Sequence, residues 1–409
     1  MFSERTNWRL AQNRFTQAVE EVRAAGKKIF DLTASNPTRV GLEYDAVAIL
    51  QALGSARALD YDPQAKGLPE ARMAVAEYYR AAHGICGLDA ERIVLTTSTS
   101  EGYSFVFRLL CNAGDELLVP KPSYPLFEFL ADLQDVKLVP YPLIYDHGWQ
   151  MDFPSLEKAV TKRTRGVVTV HPNNPTGSYV HADEVKLLNQ FCRANGLALI
   201  ADEVFLDYQL EGTSGGNAVE PRSTGQPRAA VPTYCHRSFA GNQEVLTFTL
   251  SGLSKISALP QMKVAWVVTS GPPEEAAAAM GRLEVIADTY LSMNAPVQWA
   301  VPALLKQREN IQQQLLARVR NNLAELDQQL AGQQVCQRLR VEGGWYAVLR
   351  VPVTRSDEEL AIALVREKAV VVHPGHFYDF PRDGYLVLSL ITRESEFGEG
   401  IARVMELLR

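Results

Sequence analysis

Between residues 70 and 270 the chain repeats one pattern, a short apolar run followed by a segment with apolar residues at helical spacing. ERIVLTTS leads into EGYSFVFRLLC, DELLVP into LFEFLADLQ, VKLVPYPL into LEKAVTK, and GVVTVH into ADEVKLLNQFCRANG. LALIADE, EVLTFTLS and VAWVVTS complete the series. Strands that alternate with helices build a mainly parallel sheet with helices on both faces. GVVTVH, LALIAD and VLTFTL are apolar throughout, as a doubly covered strand requires. The expected fold class is α/β: a large domain with a mainly parallel, seven-stranded sheet between helices, plus a smaller α+β domain.

The ends of the chain read differently. Trp8 to Lys28 carries Leu10, Phe15, Val19 and Val22 at helical spacing and is expected to be one amphipathic helix ending at Gly26. IFDLTASNPTRVGL then reads as a short strand running into a turn. After Pro272 come two long helical segments and an alternation of strand-like and helical pieces to the end. The expected division is residues 1–50 with the small domain, 51–297 as the large domain and 298–409 as the small C-terminal domain. Residues 211–243 are rich in Gly, Ser and Pro and are expected to be a mobile surface insertion.

Composition excludes several classes. The net charge of −6, with no long basic run, argues against a nucleic-acid partner. Five cysteines, an odd and widely spaced set, fit neither a disulfide framework nor a zinc site, so no metal is expected. The first residues lack the apolar stretch of a secretory signal, and no apolar run reaches the roughly 20 residues of a membrane helix. A cytoplasmic protein with no membrane partner is the expectation.

In such a sheet, ligands bind at the carboxyl ends of the strands. TTSTSEG places small hydroxyl residues before a helix N-terminus, which can hold an anion; an ordinary Ser/Thr cap is the plainer explanation. KPSYPLF puts Tyr124 where it could stack on a flat ring. NNPTG is a turn whose Asn could donate to a ligand oxygen. ADEVF ends a buried strand with Asp202 and Glu203, costly there unless paired. In SGLSK, Lys255 follows a strand and a Ser/Gly turn; partly desolvated, it would be a nucleophile for carbonyls. Each signal alone has a bland explanation as a cap, a core ring or a surface charge. Their order is what pyridoxal 5′-phosphate needs: an anion site, a stacking face, a donor to the phenolic oxygen, a carboxylate for the ring nitrogen and a lysine for the aldehyde.

NNPTG at 173–177, ADE at 201–203 and SGLSK at 251–255, in this order, resemble the fold-type I pyridoxal-phosphate enzymes, specifically the class I/II aminotransferases. The resemblance runs from SNPT at 35–38 to HPG at 373–375. It implies that Lys255 is the Schiff-base lysine and the proton carrier. Asp202 would pair with the pyridinium nitrogen, Asn174 would donate to the phenolic oxygen, and Tyr124 would stack. Thr99, Ser100, Ser254 and Lys263 would hold the phosphate. Tyr61, in YDPQAKGLPEAR, would reach the phosphate of a neighbouring subunit, which implies a homodimer with shared sites. Asn36 would lie in the loop over the substrate. The implied activity is amino-group transfer between an amino acid and a 2-oxo acid by a ping-pong mechanism.

Three departures stand out. Lys263 occupies the place of an arginine, keeping the charge but losing the fork. Phe205 occupies the place of a tyrosine, so one donor to the phenolic oxygen is missing unless Tyr208 substitutes. The Schiff-base pKa should then shift upward. Val387, in YLVLSLITR, stands where the family carries the arginine that clamps the α-carboxylate. Arg393 and Arg39 are the candidate replacements. The alternatives are β-elimination (a C–S lyase), decarboxylation or cyclopropane synthesis on the same scaffold, or a non-catalytic regulatory module. Trp345, Tyr346, Phe377 and Tyr378 hint at an aromatic or aliphatic substrate.

Overall fold

The structure is a computed structural model, and it describes residues 1–8, 10–210 and 238–409. The central sheet contains β2 (Ile93–Thr96), β3 (Glu116–Lys121), β4 (Lys137–Tyr145), β5 (Trp149–Met151), β6 (Thr164–Val170), β7 (Ala198–Asp202), β8 (Thr247–Gly252) and β9 (Ala265–Ser270). It follows β1 (Phe30–Asp31), which belongs elsewhere. The strand order is β2-β9-β8-β7-β6-β3-β4-β5. The pairs β3 with β4, β3 with β6, β6 with β7 and β7 with β8 are parallel, while β9 runs antiparallel to both neighbours. The seven expected strands are all present. An eighth, the three-residue β5, folds back on β4 as a hairpin and extends one edge.

Alternate residues of the central strands feed different cores, which is the period-two geometry of a strand. Val168, Ile200, Phe248, Leu250 and Val267 face the helices Thr99–Leu110 and Pro273–Tyr290. Val167, Leu199 and Ala201 face the helix Ala182–Asn195 on the other side. Ile93, Leu95, Trp266 and Val268 share that side with the helices Pro69–His83 and Ala295–Lys306. Local signals set the helix ends. His181 and Glu184 form a capping box, and Gly196 closes the helix in the left-handed region at φ 62°.

A second sheet has the antiparallel order β10 (Gln337–Arg338), β11 (Tyr346–Arg350), β14 (Tyr385–Ser389) and β13 (His373–Pro374). β1 pairs in parallel with β12 (Val370–Val371). Its core combines Phe15, Val19 and Leu32 with Leu315, Trp345, Leu388 and Phe397, so both ends of the chain build it. No helix among the described residues is long and apolar enough to cross a membrane.

The N-terminal helix is shorter than its periodicity suggests. It spans Arg14–Ala24, because the Asn13 side chain accepts from the Thr16 amide and starts the helix there. Leu10 is exposed, and Trp8 packs edge-on against Phe129 instead. Residues 211–237 of the expected insertion lie outside the described residues. Its last part is no mobile loop: Ser238, Phe239 and Ala240 are buried. The Ser238 hydroxyl and the Phe239 amide both donate to buried Glu203, at 2.6 and 2.5 Å. That carboxyl is pushed up to about 7, chiefly by burial.

The turn after β6 joins the two sheets. The Gly177 carbonyl accepts from the amides of Glu342 and Gly343, and the Tyr179 amide donates to Glu342. Gly177 has φ 69°, and a Cβ there would lie 2.6 Å from the Gly343 carbonyl oxygen. Gly177→Ala is expected to destabilise the chain by more than about 1 kcal/mol. Denaturant midpoints measure this, and an unchanged midpoint would contradict the turn's role.

Candidate active site

Because β2, β3, β6, β7 and β8 point the same way, their carboxyl ends lie along one edge of the sheet. β9 runs the other way, so the residues just before it join that edge. The chemistry expected from the sequence collects there. After β2, the extended Ser98 caps the next helix and its side chain accepts from the Glu101 amide. Thr99 and Ser100 form the first helical positions, partly buried, with no side-chain hydrogen bond among the described residues. The cap and the residues expected to hold an anion are thus two different sets.

After β3 comes Tyr124, 44% exposed. Its hydroxyl is held above the usual range by burial, with the Asp202 charge adding to it. The preceding Ser123 amide donates to the Tyr378 carbonyl at 3.0 Å, and Lys121 pairs with Asp379 at 2.9 Å. Both contacts tie this loop to the smaller sheet's side of the molecule. After β6, Asn174 is buried and its Oδ1 has no partner.

β7 and β8 are neighbours, and they carry the two charged groups. Asp202 ends β7. Its Oδ2 accepts from the Tyr103 hydroxyl at 2.9 Å and its Oδ1 from the Val204 amide at 3.2 Å. Burial pushes its carboxyl up to about 6, against the opposing pull of these donors and of Lys255. Lys255 follows β8 in a one-turn helix, Leu253–Ile256, together with Ser254. Its Nζ sits 4.7 Å from the centre of the Trp345 ring and 5.4 Å from that of Phe205. Burial lowers its pKa to about 8, and the Asp202 charge resists that shift. Lys263 stands exposed just before β9, in the left-handed region at φ 53°.

Other expectations fare differently. Tyr208 does not substitute for the tyrosine missing at Phe205. Its hydroxyl is committed to the Lys255 main-chain carbonyl, at 2.6 Å. Val387 is buried in β14 between its cross-strand partners Val348 and His373, so that place holds no cation. Arg39 and Arg393 are exposed, and neither makes an ion pair among the described residues. The Arg393 guanidinium covers Gly41, its Nε 3.3 Å from where a Cβ would stand. Asn36 is exposed, and its Oδ1 accepts from the Thr38 amide and hydroxyl. Tyr61 is 83% exposed. Phe377 packs edge-on against Phe15 in the smaller core, whereas the Tyr378 hydroxyl meets His373 Nδ1 at 3.0 Å.

Sequence reasoning missed Tyr103 as the partner of Asp202. The signal was available: it is a tyrosine on a helix face that also buries Val106 and Phe107, and a buried tyrosine hydroxyl seeks an acceptor. The edge thus presents an amine whose pKa burial lowers to about 8 and a buried carboxylate with no ion-pair partner among the described residues. An amine of this kind adds readily to carbonyl groups.

Modification of Lys255 by an amine-reactive reagent, in the chain with no ligand bound, is expected to rise with pH through about 8. An ordinary lysine would titrate near 10.4. Asp202 favours the ammonium form, so Asp202→Asn should move the midpoint downward. A midpoint that stays or rises in this variant would overturn the assigned coupling.

Residues 10–395 match the family described as aminotransferase class I and II. The glutamate-pyruvate aminotransferase AlaA of Haemophilus influenzae is 27% identical over 375 residues, covering 89% of this chain and 87% of that one. The alanine aminotransferase of Mycobacterium bovis is 25% identical, with 96% and 88% covered. Among solved structures, an alanine aminotransferase from Pyrococcus furiosus superposes with a TM-score of 0.86 at 20% identity, covering 100% of this chain and 99% of that one. The chain belongs to the class I and II aminotransferase family and is an aminotransferase of fold type I.

Proposed function

We propose that the chain binds pyridoxal 5′-phosphate on Lys255 and moves an amino group between an amino acid and a 2-oxo acid by a ping-pong mechanism. The observation that carries this reading is the pair at the ends of β7 and β8, a partly desolvated amine beside a buried carboxylate. The residues present fit the cofactor. Asn174 is buried and its Nδ2 donates to nothing among the described residues, so it is available for a ligand oxygen. Thr99 and Ser100 open a helix with side chains uncommitted, as a phosphate needs. Lys255 has no carboxylate within ion-pair distance among the described residues.

When bound, the cofactor's conjugated ring takes up the electron pair released at the substrate Cα. Asp202 would hold negative charge against the ring nitrogen; burial has raised its pKa, and a cationic partner would favour its ionised form. Tyr103 keeps that carboxylate aimed. Tyr124 would cover one ring face, Asn174 would donate to the phenolic oxygen, and Thr99, Ser100, Ser254 and Lys263 would hold the phosphate. The Lys255 amine would be the base that takes the proton from the substrate Cα and the acid that returns it. Phe205 brings no hydroxyl, and Tyr208 is engaged elsewhere, so the phenolic oxygen has one donor fewer.

Asn36, Arg39 and Arg393 are the proposed substrate-facing residues of the N-terminal loop and the C-terminal helix start. Residues 51–297 form the cofactor-carrying domain in this reading, with both termini as its smaller partner. Tyr61 serves the site of a second copy. Its exposure, shared with Val47, Leu50 and Leu59 on the same stretch of chain, supports a face that a partner covers. The names of the relatives make alanine with 2-oxoglutarate the first pair to assay.

Lys255→Ala should lose the visible absorbance of lysine-bound cofactor and about 10²-fold or more of turnover. Undiminished turnover would reject the reading. Release of ammonia and pyruvate in place of oxo-acid exchange would favour elimination chemistry, which the absence of an arginine at Val387 leaves as the second reading. Lys255→Ala and Tyr61→Ala chains, each inactive, should regain activity when mixed and allowed to exchange subunits. Failure to do so would count against shared sites.

A further inference from the structure

The turn that carries Lys255 is held from outside at successive carbonyls. A helix of one turn cannot satisfy its own last carbonyl groups. Here Lys255 O accepts from the Ala258 amide at 3.2 Å and, from outside the turn, from the Tyr208 hydroxyl at 2.6 Å, and Ile256 O accepts from Gln312 Nε2 at 2.9 Å. Two residues on, Ala258 adopts φ 51°, and its carbonyl accepts from the Tyr44 hydroxyl at 2.9 Å. The three donors come from three places: the segment after β7, the helix Arg308–Leu330 and the N-terminal segment.

Gln312 is itself fixed. Its Nε2 also donates to Asp207 Oδ2, at 2.6 Å. A carboxylate accepts only, so it decides which end of the amide faces the Ile256 carbonyl. The other oxygen, Asp207 Oδ1, accepts from the Tyr78 hydroxyl and faces His83 Nε2, both at 3.0 Å. The Asp207 and His83 side chains are nearly buried. Gln312, Asp207 and His83 reach the Lys255 turn through the Ile256 carbonyl, while the Tyr208 ring also packs against Trp345 at 5.1 Å between centroids.

We infer that Tyr208 and Gln312, the latter oriented by Asp207 and His83, are positioning residues that fix the main chain under Lys255 while its side chain moves. The inference rests on the proposed function. A lysine that carries a proton between two carbon atoms must return to the same line of approach. Displacement of its anchor by a fraction of an ångström reduces the rate without touching substrate affinity.

The test uses the cofactor-loaded enzyme and two variants. Tyr208→Phe deletes one hydroxyl and keeps the ring; Gln312→Leu deletes the second donor. Each should lower kcat roughly tenfold, the worth of one well-placed hydrogen bond, with KM within about twofold. In the cofactor-free protein, the pH midpoint of Lys255 modification should move from the wild-type value, with thermal midpoint little changed. Wild-type kcat and wild-type Lys255 midpoint in both variants would overturn the inference. So would a kcat loss that merely follows a loss of thermal stability. Wild-type enzyme that transfers no amino group would refute the proposed function, and this inference with it.

Discussion

Strands β6, β7 and β8 are buried on both faces, so a charged side chain in their middle would be stripped of water with no partner. Charge can enter only where a strand ends. Parallel pairing then puts all those ends on one edge, and the site is the consequence. Asp202 is the last residue of its strand, and Lys255 lies a single turn beyond the end of the next. The distance between them is set by strand spacing, not by any loop. The chain rejoins this edge at Ser238 and Phe239, both pinned to Glu203, the residue after Asp202.

Burial perturbs the two charged groups in opposite senses. It raises Asp202 and lowers Lys255, each toward its neutral form. Their mutual attraction opposes both shifts but does not cancel them. The surroundings divide the task further. Asp202 keeps two donors, Tyr103 and the Val204 amide, that stabilise its charge. Lys255 has two aromatic faces, which tolerate an ammonium yet cannot take its proton. The amine is therefore attracted but not bound, which its proposed role as nucleophile and proton carrier requires.

Much of this was legible in the sequence. The apolar runs fixed the strands, and the residues at their carboxyl ends, Tyr124, Asn174, Asp202 and Lys255, could be found by position alone. What sequence could not show was contact between distant segments. Tyr103 meets Asp202 across 99 residues, and Gln312 meets Asp207 across 105. Nothing local marks either pair. The helix expected from Trp8 failed for a local reason, since periodicity continued through Asn13 while its capping preference broke the helix there. The insertion's end at Ser238 was missed because a Gly- and Ser-rich stretch gives no sign of a buried carboxylate waiting to receive it.

Phe205 and Tyr208 show how one segment can relocate a function within itself. With phenylalanine at 205, the ring lies under the Lys255 amine and offers no hydroxyl toward the cofactor edge. Three residues on, the tyrosine hydroxyl reaches the other side of the same lysine and holds its carbonyl. Both rings pack against Trp345, at 5.2 and 5.1 Å between centroids, so they form one unit with it. One segment therefore sets an apolar ring against the Lys255 amine and a hydroxyl against its carbonyl. In the proposed reading, the first removes a donor near the reacting group and the second fixes the group that moves the proton. Both would act on the same proton transfer, one through the acidity of the acceptor and the other through the line of approach.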